Sequence, residues 1–433
     1  MNRLPVRDIT GPVMAPRPRN RRPRRVNGRF TLLRMALGAG LLTLFFTLPW
    51  WQWRGEPAVW LNLANGRLNL FGASFWPEDL SLLASALIVA AFALFFVTVL
   101  AGRVWCGYAC PQTLWAAMFV WCERLTGSGR KPHRFAQARR MVKHLLWLGI
   151  SACTAFTLVA LFVPGPRLVA RLLAGDLEAT TLGWLAAITL ATYANAGWLR
   201  EQLCIYLCPY ARFQAVMFDR RTPVVSYQRE RGDCVECTLC VQVCPTGIDI
   251  RDGLQIGCIA CGACADACDG VMVRMNLAKG LVAYRGAEAP ADGKGFTLRP
   301  RLLGYGAMLL ASAAVLGHGL ASRPLVSLAV SKGYPLYRDR GDGHIENLYN
   351  LTLMNKTQQP QVYHLTATGP AALGWRGKAR WRLAPGERRT EVISLALPYA
   401  LAANQPVAFE ARAIAAPAST GLRVASRFTG PAR

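Results

Sequence analysis

DCVECTLCVQVCPTGIDI, residues 233–250, and CIACGACADACD, residues 258–269, decide how this 433-residue chain reads. Each stretch holds four cysteines at the spacing Cys-x2-Cys-x2-Cys-x3-Cys: Cys234, Cys237, Cys240 and Cys244, then Cys258, Cys261, Cys264 and Cys268. An iron-sulfur cubane needs thiolates arriving from several directions. The x2 spacing wraps three of them from one tight loop, and the fourth arrives from the partner run. The two runs therefore exchange ligands, so that Cys234, Cys237, Cys240 and Cys268 hold one 4Fe-4S cluster and Cys258, Cys261, Cys264 and Cys244 hold the other. A pair of structural zinc sites asks only for Cys-x2-Cys pairs and leaves the third and fourth cysteine of each run unexplained. Pro245 follows the first run as the pattern requires, but Asp269 follows the second. Its negative charge is expected to lower the potential of the cluster that Cys268 ligates.

Outward from these runs the chain turns apolar: 53% of residues are hydrophobic and 17% charged. Five stretches have about the 20 residues that cross a hydrocarbon core as a helix. They are Leu32 to Trp51, Leu80 to Ala101, Leu145 to Val163, Thr181 to Leu199 and Leu302 to Leu320, the fourth interrupted by Asn195. The net charge of +26 suits a nucleic-acid binder or a membrane protein, and its distribution decides. Residues 1–34 hold ten Lys and Arg, 52–79 two, 102–144 eight, 164–180 two and 200–300 twelve. Basic loops stay in the cytoplasm, which puts the amino terminus and the cysteine module inside and the segment after Ser322 in the periplasm. No nucleic-acid partner is needed. Residues 1–31, rich in Arg and Pro, read as a disordered tail that sets orientation; the first span lacks a cleavage site and reads as a retained anchor.

The expected organisation is a basic tail at 1–31, a four-helix transmembrane region at 32–219, a ferredoxin-like module at 220–300, a fifth transmembrane helix at 301–321 and a periplasmic domain at 322–433. Residues 104–126, broken by Gly107 and Pro111, and 203–218 suit interfacial or re-entrant helices, with Trp105, Trp115, Trp121, Tyr206 and Tyr210 at headgroup depth. Residues 345–427 alternate apolar and polar positions in short runs, such as Val362 to Ala367 and Arg380 to Leu383, between turn signals at Gly369-Pro370, Pro385-Gly386 and Asn404-Gln405-Pro406. That pattern predicts a small all-β sandwich without cysteine.

All fourteen cysteines precede residue 269, on the side where thiols stay reduced, so disulfides are not expected. Two further pairs repeat a Cys-x3-Cys-Pro motif: Cys106 and Cys110-Pro111, and Cys204 and Cys208-Pro209. At i and i+4 two thiols share one face of a helix, and the proline ends or bends the backbone just past it. Four soft ligands at the membrane surface suit Cu(I), or iron, or a dithiol relay. Cys122 and Cys153 read as packing residues. The five histidines (His133, His144, His318, His344 and His364) form no pair within the spans, and no dinucleotide fingerprint is present, so neither haem nor flavin is expected.

The stretches GRVWCGYACPQT (102–113), EQLCIYLCPYARFQ (201–214) and RGDCVECTLCVQVCPTGIDI (231–250) resemble the FixG/CcoG/RdxA family of cytochrome c oxidase accessory proteins. The resemblance implies a multi-pass α-helical protein of the bacterial inner membrane, with a cytoplasmic two-cluster ferredoxin module (α+β) and a carboxy-terminal all-β immunoglobulin-like sandwich in the periplasm. It implies assembly of a cbb(3)-type oxidase, by reduction of Cu(II) to Cu(I) at Cys106, Cys110, Cys204 and Cys208. The implied partners are membrane lipid, oxidase assembly and copper-handling proteins and an unidentified electron donor. Two other functions fit the motifs: a quinol-linked electron conduit resembling the membrane ferredoxins of periplasmic nitrate reduction, and a non-catalytic assembly scaffold.

Overall fold

The structure, a computed structural model, describes residues 23–53, 55–63, 66–127, 136–219, 221–286, 299–401, 404–414 and 421–431. It divides into two units, one holding the residues up to Trp51 with Ala84–Leu316, the other Gln52–Leu83 with Gly317–Arg433. The helices in chain order are α1 Arg29–Thr47, α2 Leu80–Ala101, α3 Pro111–Leu125, α4 Ala136–Ala160, α5 Gly165–Ala174, α6 Ala179–Ala194, α7 Pro209–Met217, α8 Leu239–Gln242, α9 Ala263–Arg274 and α10 Pro300–Ala321.

Among the described residues, four helical stretches are long and apolar enough to cross a membrane: Arg29–Trp50, Pro77–Ala101, Ala136–Ala160 and Pro300–Ala321. They correspond to the first, second, third and fifth expected spans. The fourth is shorter than expected, because α6 has 16 residues and is carried on by a π-helical turn, Asn195–Leu199. Hydroxyls inside these helices satisfy themselves on the preceding turn, as Thr98 does on the Leu94 carbonyl at 2.7 Å and Ser151 on that of Trp147 at 2.8 Å. In apolar surroundings an unpaired hydroxyl would be costly.

Neither Cys-x3-Cys-Pro segment is the plain helix that the i, i+4 argument expected. Cys106 lies in a π-helical turn, Trp105–Ala109, closed by the Cys110 N–H on the Trp105 carbonyl at 2.8 Å. Cys204 lies in another, Leu203–Leu207, closed by the Cys208 N–H on the Leu203 carbonyl, also at 2.8 Å. The second cysteine of each motif is extended, as the residue before a proline must be, and that proline opens the next helix, α3 or α7. Of the aromatic residues expected at headgroup depth, Trp105, Trp121 and Tyr206 are exposed. Trp115 instead donates to Thr154 Oγ1 at 3.0 Å, and the Tyr210 hydroxyl lies 2.5 Å from that of Thr98.

The tail expected at 1–31 also needs correcting. Its first 22 residues lie outside the described residues, but those from Pro23 onward form a strap on the cysteine module. The Arg24 N–H donates to the Gln242 carbonyl at 2.9 Å, Val26 packs beside Ile259 and Cys261, and Phe30 packs against Tyr284, the rings tilted by 52° with centroids 4.9 Å apart. The buried Asp266 of α9 accepts from Phe30 N at 3.2 Å and Thr31 N at 2.7 Å, and so caps α1, which has no capping side chain of its own. A side chain at Gly28 would meet Asp266 at 2.2 Å, so the close approach needs glycine.

The second unit is an antiparallel β-sandwich. One sheet runs in the order Gly374–Arg376, Arg388–Pro398, His344–Asn355, Val326–Lys332, with Arg338–Asp339 on its margin, and the other in the order Arg380–Leu383, Gln361–Thr368, Gln405–Ala413, Gly421–Phe428. Alternation along His344–Asn355 aims Ile345, Tyr349, Leu351 and Leu353 inward to meet Tyr363, Trp381 and Phe409. Residues 52–83, expected to belong to the helical region, fold with this unit. Val59–Asn62, Arg67–Leu70 and Ala73–Phe75 form a small sheet, and the buried Asp79 pairs with Arg323 at 2.5 Å and Lys356 at 3.4 Å.

Candidate functional site

Two short strands, Val224–Tyr227 and Val282–Arg285, pair antiparallel and bracket the cysteine module. Between them the two cysteine runs fold alike. In the first run Glu236 and Thr238 are left-handed, and in the second the equivalent Ala260 and Gly262 are too. A left-handed conformation costs a non-glycine residue about 1–2 kcal/mol, so the tightness of both loops is maintained against local preference.

Each run borders a cavity. Cys234, Cys237, Cys240 and Cys268 line one of about 390 Å³, closed by Tyr227, Met272 and Leu281. Cys244, Cys258, Cys261 and Cys264 line the other, of about 360 Å³, with Val225, Ile250 and Ile259; Cys240 stands on its wall as well. Four thiols around each apolar cavity are a donor set that fits a 4Fe-4S group, with the fourth thiol coming from the other run in both cases. The surroundings differ: Cys258 and Cys261 are buried, whereas Cys237 is exposed. Burial pushes the Cys258 thiol up to about 11, and it pushes Cys268 to about 11 with help from Cys240 and Asp269. Unligated, these thiols keep their protons at neutral pH, so loading of metal displaces them.

The two Cys-x3-Cys-Pro turns are stitched to each other. Arg103 donates from Nη2 to the Ala211 carbonyl at 3.0 Å, and the Cys106 thiol to Gln214 Oε1 at 3.5 Å. Gln112 donates to the Arg200 carbonyl at 2.9 Å and accepts from Asn195 at 2.8 Å. Burial pushes Cys106 up to about 12, with the neighbouring Cys110, Cys208 and Cys204 contributing, and Cys204 up to about 11. The four thiols thus lie in one another's field. Among the described residues, however, no three His, Cys, Asp or Glu side chains close around a single point as a caged ion requires.

The first turn also sits on the second cysteine run. A Cβ added at Gly107 would lie 2.8 Å from the carbonyl oxygens of both Ile259 and Ala260, between Cys258 and Cys261. Beside it, Arg103 Nη1 donates to the Cys258 carbonyl at 2.8 Å and to that of Ile256. On the other flank the Tyr108 hydroxyl lies 3.3 Å from that of Tyr284, which donates to the Ala260 carbonyl at 2.6 Å. Cys106 packs in the same cluster as Ile259, Cys261 and Cys264. Of these neighbours the sequence pointed only to Gly107, as a break. Arg103 counted there as one of eight basic residues in an inner loop, yet it is 4% exposed. Tyr284 carried no signal at all.

Comparison with known proteins agrees with this geometry. The model of a 4Fe-4S dicluster domain matches residues 199–233 and 228–287, a 4Fe-4S binding domain matches 83–128, and the immunoglobulin-like fold at the carboxy terminus of FixG matches 316–431. Protein RdxA of Cereibacter sphaeroides is 36% identical over 81% of this chain and 82% of its own. The nitrogen fixation protein FixG of Rhizobium meliloti is 32% identical over 81% and 79%. More distantly, the ferredoxin-type protein NapH of Haemophilus influenzae is 27% identical over 55% of this chain and 87% of its own. With ferredoxin-type 4Fe-4S domains, the FixG carboxy-terminal fold and relatives matched over most of their length, the chain belongs to the FixG/RdxA family.

Proposed function

We propose that this chain is a membrane-bound one-electron carrier that reduces Cu(II) to Cu(I) during assembly of a cbb(3)-type oxidase. In this reading Cys234, Cys237, Cys240 and Cys268 hold one 4Fe-4S group, and Cys258, Cys261, Cys264 and Cys244 the other. When bound, each group supplies a carrier that takes up and releases single electrons without a proton. Copper is the substrate: one electron converts Cu(II) to Cu(I), which soft thiols prefer.

The observation that carries the reading is the seat of the first Cys-x3-Cys-Pro turn on the Cys258–Cys261 loop, with Gly107 against the Ile259 and Ala260 carbonyls. That contact places Cys106 in the same packed cluster as Cys261 and Cys264 of the second run. Cys106, Cys110, Cys204 and Cys208 would take the ion. The alternating charge of the loops supports an arrangement with the amino terminus and cysteine module in the cytoplasm and the sandwich in the periplasm.

The test is to purify the full chain anaerobically, reduce it, add Cu(II), and follow visible bleaching together with Cu(I) formation. Wild type should bleach and yield Cu(I) in step, and Cys110→Ala and Cys208→Ala should keep their iron but yield little Cu(I). Reduction by quinol with no response to copper would favour the electron conduit. Oxidase assembly that survives loss of the cluster cysteines would favour the scaffold.

A further inference from the structure

Arg103 is buried and carries a charge that no carboxylate meets among the described residues. Its guanidinium is spent on backbone carbonyls: Cys258 and Ile256 through Nη1, Ala211 through Nη2. The Phe218 ring lies 5.7 Å away, and Nε has no partner. A buried guanidinium costs several kcal/mol unless negative charge lies close by. Carbonyl dipoles supply part of that, and thiolates supply more. Arg103 lies in the field of Cys258, Cys106 and Cys208. Four thiolates outweigh the charge of the iron core they bind, so a loaded Cys258 site is anionic and meets this need.

The other cysteine set has the opposite surroundings. Asp233, Glu236 and Asp269 directly flank Cys234, Cys237 and Cys268. Arg231 pairs with Asp233 at 2.6 Å and Arg251 with Asp249 at 2.7 Å, while Arg229 donates to the Arg251 carbonyl, so Glu236 and Asp269 are the flanking carboxylates left to act on this set. An added electron is therefore favoured at the set beside the unneutralised cation and disfavoured at the set beside the carboxylates.

We infer that Arg103 is a positioning residue that sets the direction of electron flow, by raising the reduction potential at the Cys258, Cys261, Cys264 and Cys244 site above that at the Cys234, Cys237, Cys240 and Cys268 site. The inference rests on the ligand sets given under the proposed function but not on copper being the acceptor. Electrons entering at the exposed set drift to the buried one, next to Cys106, and any one-electron acceptor at the thiols removes them there. Arg103 itself gains and loses nothing. Its hydrogen bonds hold the Cys258 loop and α7 to the first turn, and its charge biases the equilibrium.

The experiment is an anaerobic potentiometric titration of the full chain, read by electron paramagnetic resonance, with iron and sulfide assayed in every variant. Arg103→Gln keeps donors for the carbonyls and removes the charge. It should lower one wave at least tenfold in the reduction equilibrium, about 59 mV for one electron. Asp269→Asn should raise the other wave. Arg103→Lys keeps the charge without the planar fork and should leave its wave near the wild-type position. Both waves unmoved in a fully loaded Arg103→Gln chain would overturn the inference, as would Arg103→Gln and Asp269→Asn acting on the same wave. If Arg103→Gln fails to load, Arg103→Lys decides. A wave held in place supports the role of charge, and a fallen one assigns the effect to the hydrogen bonds alone. Waves that behave as expected in a chain that forms no Cu(I) would sink the copper reading and leave the role of Arg103 standing.

Discussion

The turn that carries Cys106 and the turn that carries Cys204 have the same backbone. Each is entered by a left-handed residue, Gly102 or Arg200, each is a π-helical turn, and each ends on an extended cysteine before a helix-opening proline. Their surroundings differ at several equivalent positions. Gly107 sits against the Ile259 and Ala260 carbonyls inside the second cysteine run, where Ile205 of the other turn reaches only Gly257 at its edge, and Tyr108 is buried where Tyr206 is 53% exposed. Thr113 ties its hydroxyl to the Cys106 carbonyl at 2.7 Å, and its counterpart Ala211 has no hydroxyl to offer. Arg103 faces the cysteine run, whereas its counterpart Glu201 is a carboxyl whose ionisation burial opposes. The motif thus fixes local shape, and the residues between and around its cysteines decide how closely each copy is joined to the second cysteine run.

The comparison breaks most sharply by exchanging residues between the copies. Gly107→Ile puts a branched side chain where even a Cβ would lie 2.8 Å from two backbone carbonyls, and neither carbonyl belongs to a flexible side chain that can move aside. The Cys258–Cys261 loop must be displaced, and overpacking of this kind is not absorbed by a tight interior. Iron and sulfide per chain should fall to roughly half, with the loss confined to the Cys258 set. The reverse exchange, Ile205→Gly, removes only an ordinary van der Waals neighbour of Gly257 and should cost much less metal. Equal losses in both variants, by chemical assay, would show that the two turns are not distinguished in this way.

How far the sequence foretold this asymmetry follows from the kind of signal each feature leaves. The cysteine runs announced two thiol sets because ligand spacing is local, and the strands at Gln361–Thr368 and Arg380–Leu383 showed through period-two alternation. The π-helical turns could not be read, because a bond from Cys110 back to Trp105 differs from an α-helical bond by one residue and leaves no pattern in composition. Arg103 was hidden for another reason. A basic residue just after an apolar run looks the same whether it faces the cytoplasm or is buried against carbonyls. The strap from Pro23 to Thr31 was missed because an Arg- and Pro-rich segment has the composition of a disordered tail, although Val26 and Phe30 suffice to anchor it.

A gentler contrast between the copies concerns their first thiols. Burial raises Cys106 to about 12 and Cys204 to about 11, so both are protonated at neutral pH and only the thiolate fraction reacts with an alkylating agent. Raising the pH increases that fraction about tenfold per unit until the thiol pKa is reached. Labelling of the full chain, followed by mass spectrometry between about pH 7 and 9, should therefore speed up with pH at both residues, with Cys204 ahead of Cys106. If Cys106 reacts first, the first turn is not the more enclosed one.

The smallest effect concerns what braces the first turn. Helix α1 packs against Trp105–Ala109, and its amino-terminal N–H groups are held by Asp266, between two cysteines of the second run. Among the described contacts, α1 packs in this way against the first turn only. Asp266→Asn keeps the shape of the side chain but removes the negative charge from the helix amino terminus and turns one acceptor into a donor, for about 1 kcal/mol. Such a loss is too small to unfold the unit and large enough to raise local opening about fivefold. Amide exchange should therefore quicken at 105–110 and stay unchanged at 203–208. The reason is mechanical: α1 transmits the loosened cap to the turn it touches, the Cys106 turn. Quickening at both turns would mean that the cap holds the whole cysteine module and not the first turn alone.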